Sequence, residues 1–163
     1  MLPIVGIGIG ASDPEATAGF LRLFGYSSND GRRFARSSGA RLDVTRVDAV
    51  GEVRRGFDRG PRGLDVYVHD IDRALALAAS GGWSGGPIAT IALGPVRMRQ
   101  SLVAGPDGLP VVLVESSHRR PSLLDSEDHW CSEIYSVVWC VTDRDRESAL
   151  WTSATLEIGR AHV

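Results

Sequence analysis

The stretch GLDVYVHDIDRALALAASGGW, residues 63–83, decides the fold. It opens as a short β-rich run, turns at Asp70, and continues with helical spacing to a pair of glycines, Gly81 and Gly82. The same grammar occurs twice more, in IVGIGIGASDPEATAGFLRLFGY (4–26) and IYSVVWCVTDRDRESALWTS (134–153). The pivots are Asp13, Asp70 and Asp143. Each is followed at offsets seven and eight by an apolar pair: Phe20/Leu21, Leu77/Ala78 and Leu150/Trp151. Two turns into a helix, such a pair lies on one face. An Asp at the pivot suits a helix N-cap, because its carboxylate accepts from the unpaired N–H groups of the first turn. Pro14 follows where a first-turn proline costs least. Gly25 and Gly81–Gly82 sit where helices commonly stop.

Strand-like runs follow the first two helices. In the first unit, 34–36 and 41–47 read as strands two and three, with 50–57 as a weaker fourth interrupted by Gly51 and Gly56. In the second unit, 88–93, 96–103 and 109–115 read as strands, the last two joined by the turn AGPDG. The repeat is therefore β-α-β-β-β, and the third copy stops after its helix. Residues 117–131, polar and without sustained periodicity, read as a linker. The expected division is a complete two-unit domain at 1–116, a linker at 117–131, and the start of a second domain at 132–157. A lone strand and helix cannot bury enough apolar surface to stand alone, so this third piece is expected to dock on the first domain or to promote aggregation.

The chain has 163 residues, is 43% hydrophobic and 23% charged, and carries a formal net charge of −2. Those values exclude a disordered polymer, a collagen and a coiled-coil rod. All 18 basic residues are arginine, yet the balanced charge gives no electrostatic reason to expect nucleic acid or an anionic membrane as partner. No apolar run approaches the roughly 18–20 residues that a membrane-spanning helix needs. With two cysteines, Cys131 and Cys140, and no basic leader, the expected location is the cytoplasm.

The repeated segments resemble the vicinal oxygen chelate superfamily, which includes glyoxalase I, bleomycin-resistance proteins and extradiol dioxygenases. DVYVHDIDRALA is similar to its strand-one, Asp and helix opening. LVAGPDGLPVVLVE is similar to its strand three, D-P-D-G turn and strand four. The resemblance implies an α+β fold in which paired βαβββ modules form a curled mixed sheet around a cleft for a small ligand, here with a truncated third module.

In metal-dependent members, one ligand is a strand-one His seven residues before the helix Asp, and another is a strand-four Glu four residues after the turn Gly. The corresponding positions here are Gly6, Gly63, Ser136 and Val112. None of the strand-one positions is expected to chelate through its side chain, Val112 offers hydrocarbon, and a catalytic metal typically takes three protein ligands. The expectation is a domain with no metal and no other cofactor. The same offset predicts a cleft-facing row. Gly6, Gly8 and Gly10 leave one wall bare, while the second unit presents Gly63, Asp65 and Tyr67. Ile7, Ile9, Leu64, Val66 and Val68 then face the helices. Asp65 and Tyr67 are candidate ligand contacts. Arg97 and Arg99 share one face of a neighbouring strand and are candidates too; Met98 and Gln100 share the other, and the sequence leaves open which pair faces inward.

Other motifs have simpler accounts. Gly6-x-Gly8-x-x-Ala11 is a loose match to a dinucleotide fingerprint, but its helix starts too late for one. Asp70 and Asp72 fit a helix start, and His69 a strand end. His118, His129 and Cys131 match no zinc spacing and fall in the expected solvated linker. Cys140 reads as a small buried hydrophobe. Residues 158–163, IGRAHV, can be encoded by a string resembling a common sequencing adapter, and read as a non-native tail. The functional expectation is a small-molecule binding domain that works without metal, completed by a second copy or by a further C-terminal domain. The alternative is a piece of a metal-dependent lyase, isomerase or dioxygenase whose site lies beyond it.

Overall fold

The computed structural model describes residues 6–36, 41–48, 60–118 and 130–140. In chain order the elements are β1 (Gly6–Ala11), α1 (Pro14–Leu23), β2 (Arg33–Phe34), β3 (Arg41–Arg46), β4 (Gly60–Val68), α2 (Ile71–Ser80), β5 (Ala89–Leu93), β6 (Val96–Ala104), β7 (Pro110–Ser116) and β8 (Cys131–Cys140). They form an α+β fold with two mixed sheets, ordered β1-β3-β2 and β5-β6-β7-β4-β8, neither closed into a barrel.

Both helices begin as the Asp pivots require. The Asp13 carboxylate accepts from Glu15 N and Ala16 N at 3.1 and 3.0 Å. The Asp70 carboxylate accepts from Arg73 N at 3.0 Å. Each cap of this kind is worth about 1 kcal/mol. Gly25 and Gly82, with φ of 80° and 87°, let the chain leave the helices through the left-handed region.

In the second unit β5, β6 and β7 match their expected strands to within a residue, while β4 starts at Gly60, ahead of the expected start at Gly63. Its strand one, β4, runs parallel to β7, and β7 and β5 flank β6 antiparallel. The first unit departs from expectation. Arg41–Arg46, expected as strand three, pairs parallel with β1, which is the place β7 holds beside β4. It is thus the fourth strand, and Arg33–Phe34, paired antiparallel to it, is the third. The second strand shrinks to a single bridge between Ser27 and Ala35. The physical reason is local. Residues 27–31, SSNDG, are turn formers, and the Asp30 carboxylate accepts from Arg32 N, Arg33 N and the Ser28 hydroxyl, folding the segment into a turn. These bonds hold the Asp30 carboxyl down at about 2. The expected strand at 50–57 lies outside the described residues.

One apolar core runs through the units. On α1, Phe20 meets Phe24 edge-on at 5.1 Å and Trp83, from the second unit, at 5.0 Å. Phe24 in turn packs on Trp130, just before β8, at 5.3 Å. The expected core faces hold: Ile9, Leu64, Val66 and Val68 are buried, and Ile7 packs against them in part. No described helix is long and apolar enough to cross a membrane.

β8 pairs antiparallel with the outer edge of β4, bringing Leu64 beside Val137 and Val68 beside Cys131. Cys131, expected in a solvated linker, is instead a buried strand residue at 1% exposure. Its neighbourhood explains the difference. Arg36 donates to the carbonyls of Phe24 and Cys131, Trp130 Nε1 donates to the Leu23 carbonyl, and Ile134 N donates to the Tyr26 hydroxyl. The end of α1 thereby offers β8 polar anchors as well as an apolar surface. Residues 141–163, with Asp143 and the tail at 158–163, lie outside the described residues.

Candidate functional site

Strand alternation and register assign the two faces of the five-stranded sheet. Leu64, Val66, Val111, Leu113, Ser101 and Val103 lie in register on one face and are buried. That face also carries Arg97, Arg99 and Glu115, and α2 lies against it: Ile71 N donates to Glu115 Oε2 at 2.8 Å, and Arg99 Nη2 pairs with Asp72 at 2.8 Å. The opposite face carries Asp65 and Tyr67 on β4, Val112 and Val114 on β7, and Met98, Gln100 and Leu102 on β6. The four candidate contacts are therefore split. Asp65 and Tyr67 share the face opposite α2, while Arg97 and Arg99 lie on the helix side. Met98 and Gln100, rather than the arginines, accompany Asp65 and Tyr67.

The face opposite α2 mixes apolar and polar side chains and is open in part. Leu102, 45% exposed, lies there, and Ile91, 37% exposed, pairs across from Met98 on the same face. Asp65 is half-buried beside Val112. Tyr67 stacks on Tyr135 of β8, with ring centroids 4.0 Å apart and planes 14° from parallel. Two register shifts in the β4–β8 pairing produce that stack. Between Asp65–Ser136 and Val66–Ile134 the partner strand carries one extra residue, Tyr135, and such a bulge re-aims a side chain. Tyr67 N donates to the Ser132 hydroxyl at 2.9 Å, fixing the strand at the same point. Tyr135 has no local signature, because a bulge arises from the pairing of two strands.

The positions that hold metal in the resembling family do not fit a metal here. A Cβ placed on Gly63 would meet Val112 Cγ2 at 2.9 Å, so the strand-one and strand-four positions close on each other with hydrocarbon. No group of three or more His, Cys, Asp or Glu residues suited to a metal ion occurs among the described residues. Gly6, Gly8 and Gly10 form an exposed row on β1.

On the helix side, Arg99 is anchored. It pairs with Asp72 at 2.8 Å and with Glu115 at 3.2 Å, and the Asp72 bond is the main reason its guanidinium is held above its ordinary pKa. His69, Arg97, Arg99, Glu115, Ser116 and Ser117 line a cavity of about 350 Å³ beside this network. His69, expected as a surface residue at a strand end, is exposed there.

No family model and no curated protein matches the chain. Solved structures do. A glyoxalase family protein from Enterococcus faecalis is 21% identical, with a TM-score of 0.54 over 69% of this chain and 96% of that one. A glyoxalase/bleomycin resistance protein/dioxygenase from Alicyclobacillus acidocaldarius is 14% identical, with a TM-score of 0.53 over 71% and 92%. A mutant of 4-hydroxymandelate synthase from Streptomyces coelicolor is 12% identical, with a TM-score of 0.52 over 95% of this chain and 53% of that one. Together with the repeated units and their topology, these place the chain in the fold of the vicinal oxygen chelate superfamily.

Proposed function

We propose that the chain is a small-molecule binding protein of the vicinal oxygen chelate fold, acting in the cytoplasm and binding its ligand without a metal. The ligand lies on the sheet face opposite α2. The observation that carries this reading is the company Asp65 and Tyr67 keep: a partly open surface with the apolar Leu102 and Ile91 exposed, and an aromatic pair at its edge. Ligand sites combine such apolar area with a few polar groups that fix orientation. Asp65 and Gln100 supply an acceptor and an amide; Tyr67 supplies a ring and a hydroxyl. The lack of room for a Cβ at Gly63 beside Val112 supports the metal-free half of the reading.

A thermal-shift screen of the full chain against small aromatic and thiol-conjugated compounds tests it. Stabilising compounds are expected, and Leu102→Asp on the open face is expected to abolish the shifts. Compounds that stabilise the parent and this variant equally would overturn the assignment. Stoichiometric zinc or iron in the purified chain would overturn the metal-free reading.

A second reading has one observation in its favour. The match to 4-hydroxymandelate synthase covers 95% of this chain but only 53% of that one. On that reading the chain is part of a larger dioxygenase-like enzyme whose catalytic site lies outside it, and the 60–118 unit is its metal-free support.

A further inference from the structure

We propose that the cavity beside α2 is a second binding site, for a small organic oxyanion, and that Arg97 is its principal contact. It lies at the end of the sheet beside α2, and Arg97, Arg99 and Glu115 of its lining are on the helix face, away from Asp65 and Tyr67. The one carboxylate, Glu115, is already satisfied: its Oε2 accepts from Ile71 N at 2.8 Å and from Arg99 Nη1 at 3.2 Å. Arg99 is committed to Glu115 and Asp72. What remains is rich in donors. Arg97 is exposed, two residues along the same strand face from Arg99, and its guanidinium makes no ion pair or hydrogen bond with a described residue. The His69 ring, at the end of β4, has no described partner either.

The two serines complete the set. Ser117 Oγ accepts from Arg97 N at 2.9 Å, and Ser116 Oγ accepts from His118 N at 3.1 Å. With those oxygens occupied as acceptors, their hydroxyl protons are left to donate. A guanidinium, an imidazole and two hydroxyls thus border one cavity whose only acid is neutralised. Arginine matches carboxylate and phosphate through paired N–H bonds, and charge-assisted bonds of this kind are the strong ones. Ser117 N also donates to the Arg97 carbonyl at 2.9 Å, which ties the backbone at Arg97 to Ser117. The volume of about 350 Å³ is room for more than a bare ion and falls at the lower end of ligand pockets, roughly 300–1,000 Å³. The occupant's chemistry is therefore an organic carboxylate or phosphate, with its anionic end toward Arg97.

The test is a chemical-shift titration of the isotope-labelled full chain with inorganic phosphate and with acetate, ionic strength held constant with chloride. Saturable shifts are expected at the backbone amides of residues 97 and 115–118, with chloride alone producing none. Arg97→Gln is expected to weaken binding about tenfold, the loss of one charge-assisted contact. His69→Gln is expected to weaken it less. Arg32→Gln, an exposed arginine elsewhere, is expected to leave it unchanged. Saturation by phosphate rather than acetate assigns a phosphate group to the ligand; the reverse assigns a carboxylate. Failure of both probes to saturate, retention of parent affinity by Arg97→Gln and His69→Gln, or an equal loss in Arg32→Gln overturns the site. None of these outcomes bears on compounds that bind the other face, so the two assignments stand or fall separately.

Discussion

Ser12 and Asp107, 95 positions apart, are joined by two hydrogen bonds. Ser12 N donates to Asp107 Oδ2 at 2.7 Å, and the Ser12 hydroxyl donates to Oδ1 at 2.5 Å. The contact places an acid from the turn before β7 at the start of α1, so the second unit helps to cap the helix of the first. Beside it, a Cβ on Gly105 would meet the Phe20 ring at 2.5 Å, which is why the same turn needs glycine at that point. Asp107 is held at φ 54°, a left-handed conformation that Asp tolerates better than most residues.

The hydrogen bonds from Ser12 hold the Asp107 carboxyl below its ordinary value of 3.8. A depressed carboxyl stabilises the fold above its unfolded pKa, and that contribution is lost as pH falls through the folded value. Asp107→Asn keeps the left-handed backbone and removes the charge. Its melting temperature is expected to lie below that of the parent at pH 7 and to converge with it as pH falls below about 3.8. A gap that stays constant down to pH 2.5 would refute the linkage.

Gly63 and Val112 make a packing prediction. Adding a methyl at 63 brings it to 2.9 Å from Val112 Cγ2, and overpacking of this kind costs about 1–3 kcal/mol. Gly63→Ala is expected to be destabilising, and Val112→Ala in the same chain to recover part of the loss. Chemical denaturation of the two single variants and the double variant measures the coupling, and strict additivity would show that the contact is not the cause.

The second unit was legible in the sequence almost throughout because its signals are local. Asp70 announces a cap, the glycines after Ser80 a stop, and alternation over Leu64–Val68 a buried face. The first unit was legible in type but shifted in order. The β-formers at 34–36 and 41–47 are plain, yet which strand lies beside β1 depends on how much chain the SSNDG turn consumes. The candidate site was legible in part. A period of two places Asp65 and Tyr67 on one face with certainty, whereas the relation of that face to Arg97 and Arg99 depends on inter-strand register. Tyr135 and the burial of Cys131 depend on the docking of β8, which no local pattern records.

The Tyr67–Tyr135 stack predicts that β8 and β4 are energetically coupled at that point. Offset-stacked and edge-to-face aromatic pairs contribute about 0.5–1.5 kcal/mol beyond the area they bury. A double-mutant cycle with Tyr67→Leu and Tyr135→Leu is expected to give a coupling energy within that range. A value of zero would mean the rings are neighbours without mutual stabilisation. Since the stack lies at the edge of the open face, Tyr135→Leu is also expected to weaken compounds that bind there.

Cys131 predicts the behaviour of the docked strand at high pH. Burial pushes its thiol from 9.0 up to about 12, outweighing the opposing pull of the nearby Arg36 guanidinium. In the folded chain the group therefore stays neutral while the unfolded chain ionises. Below about pH 9 the thiol is protonated in both states and favours neither. As pH rises from there toward 12, the unfolded state gains and stability falls. In a Cys140→Ser background, Cys131 is expected to resist an alkylating reagent at pH 8 until the chain unfolds, because only an exposed thiolate reacts. Between pH 8 and 10.5 the chain with Cys131 is expected to lose more melting temperature than the Cys131→Ala variant. Rapid alkylation in the absence of denaturant, or parallel pH profiles for the two chains, would show that β8 does not hold this residue out of water.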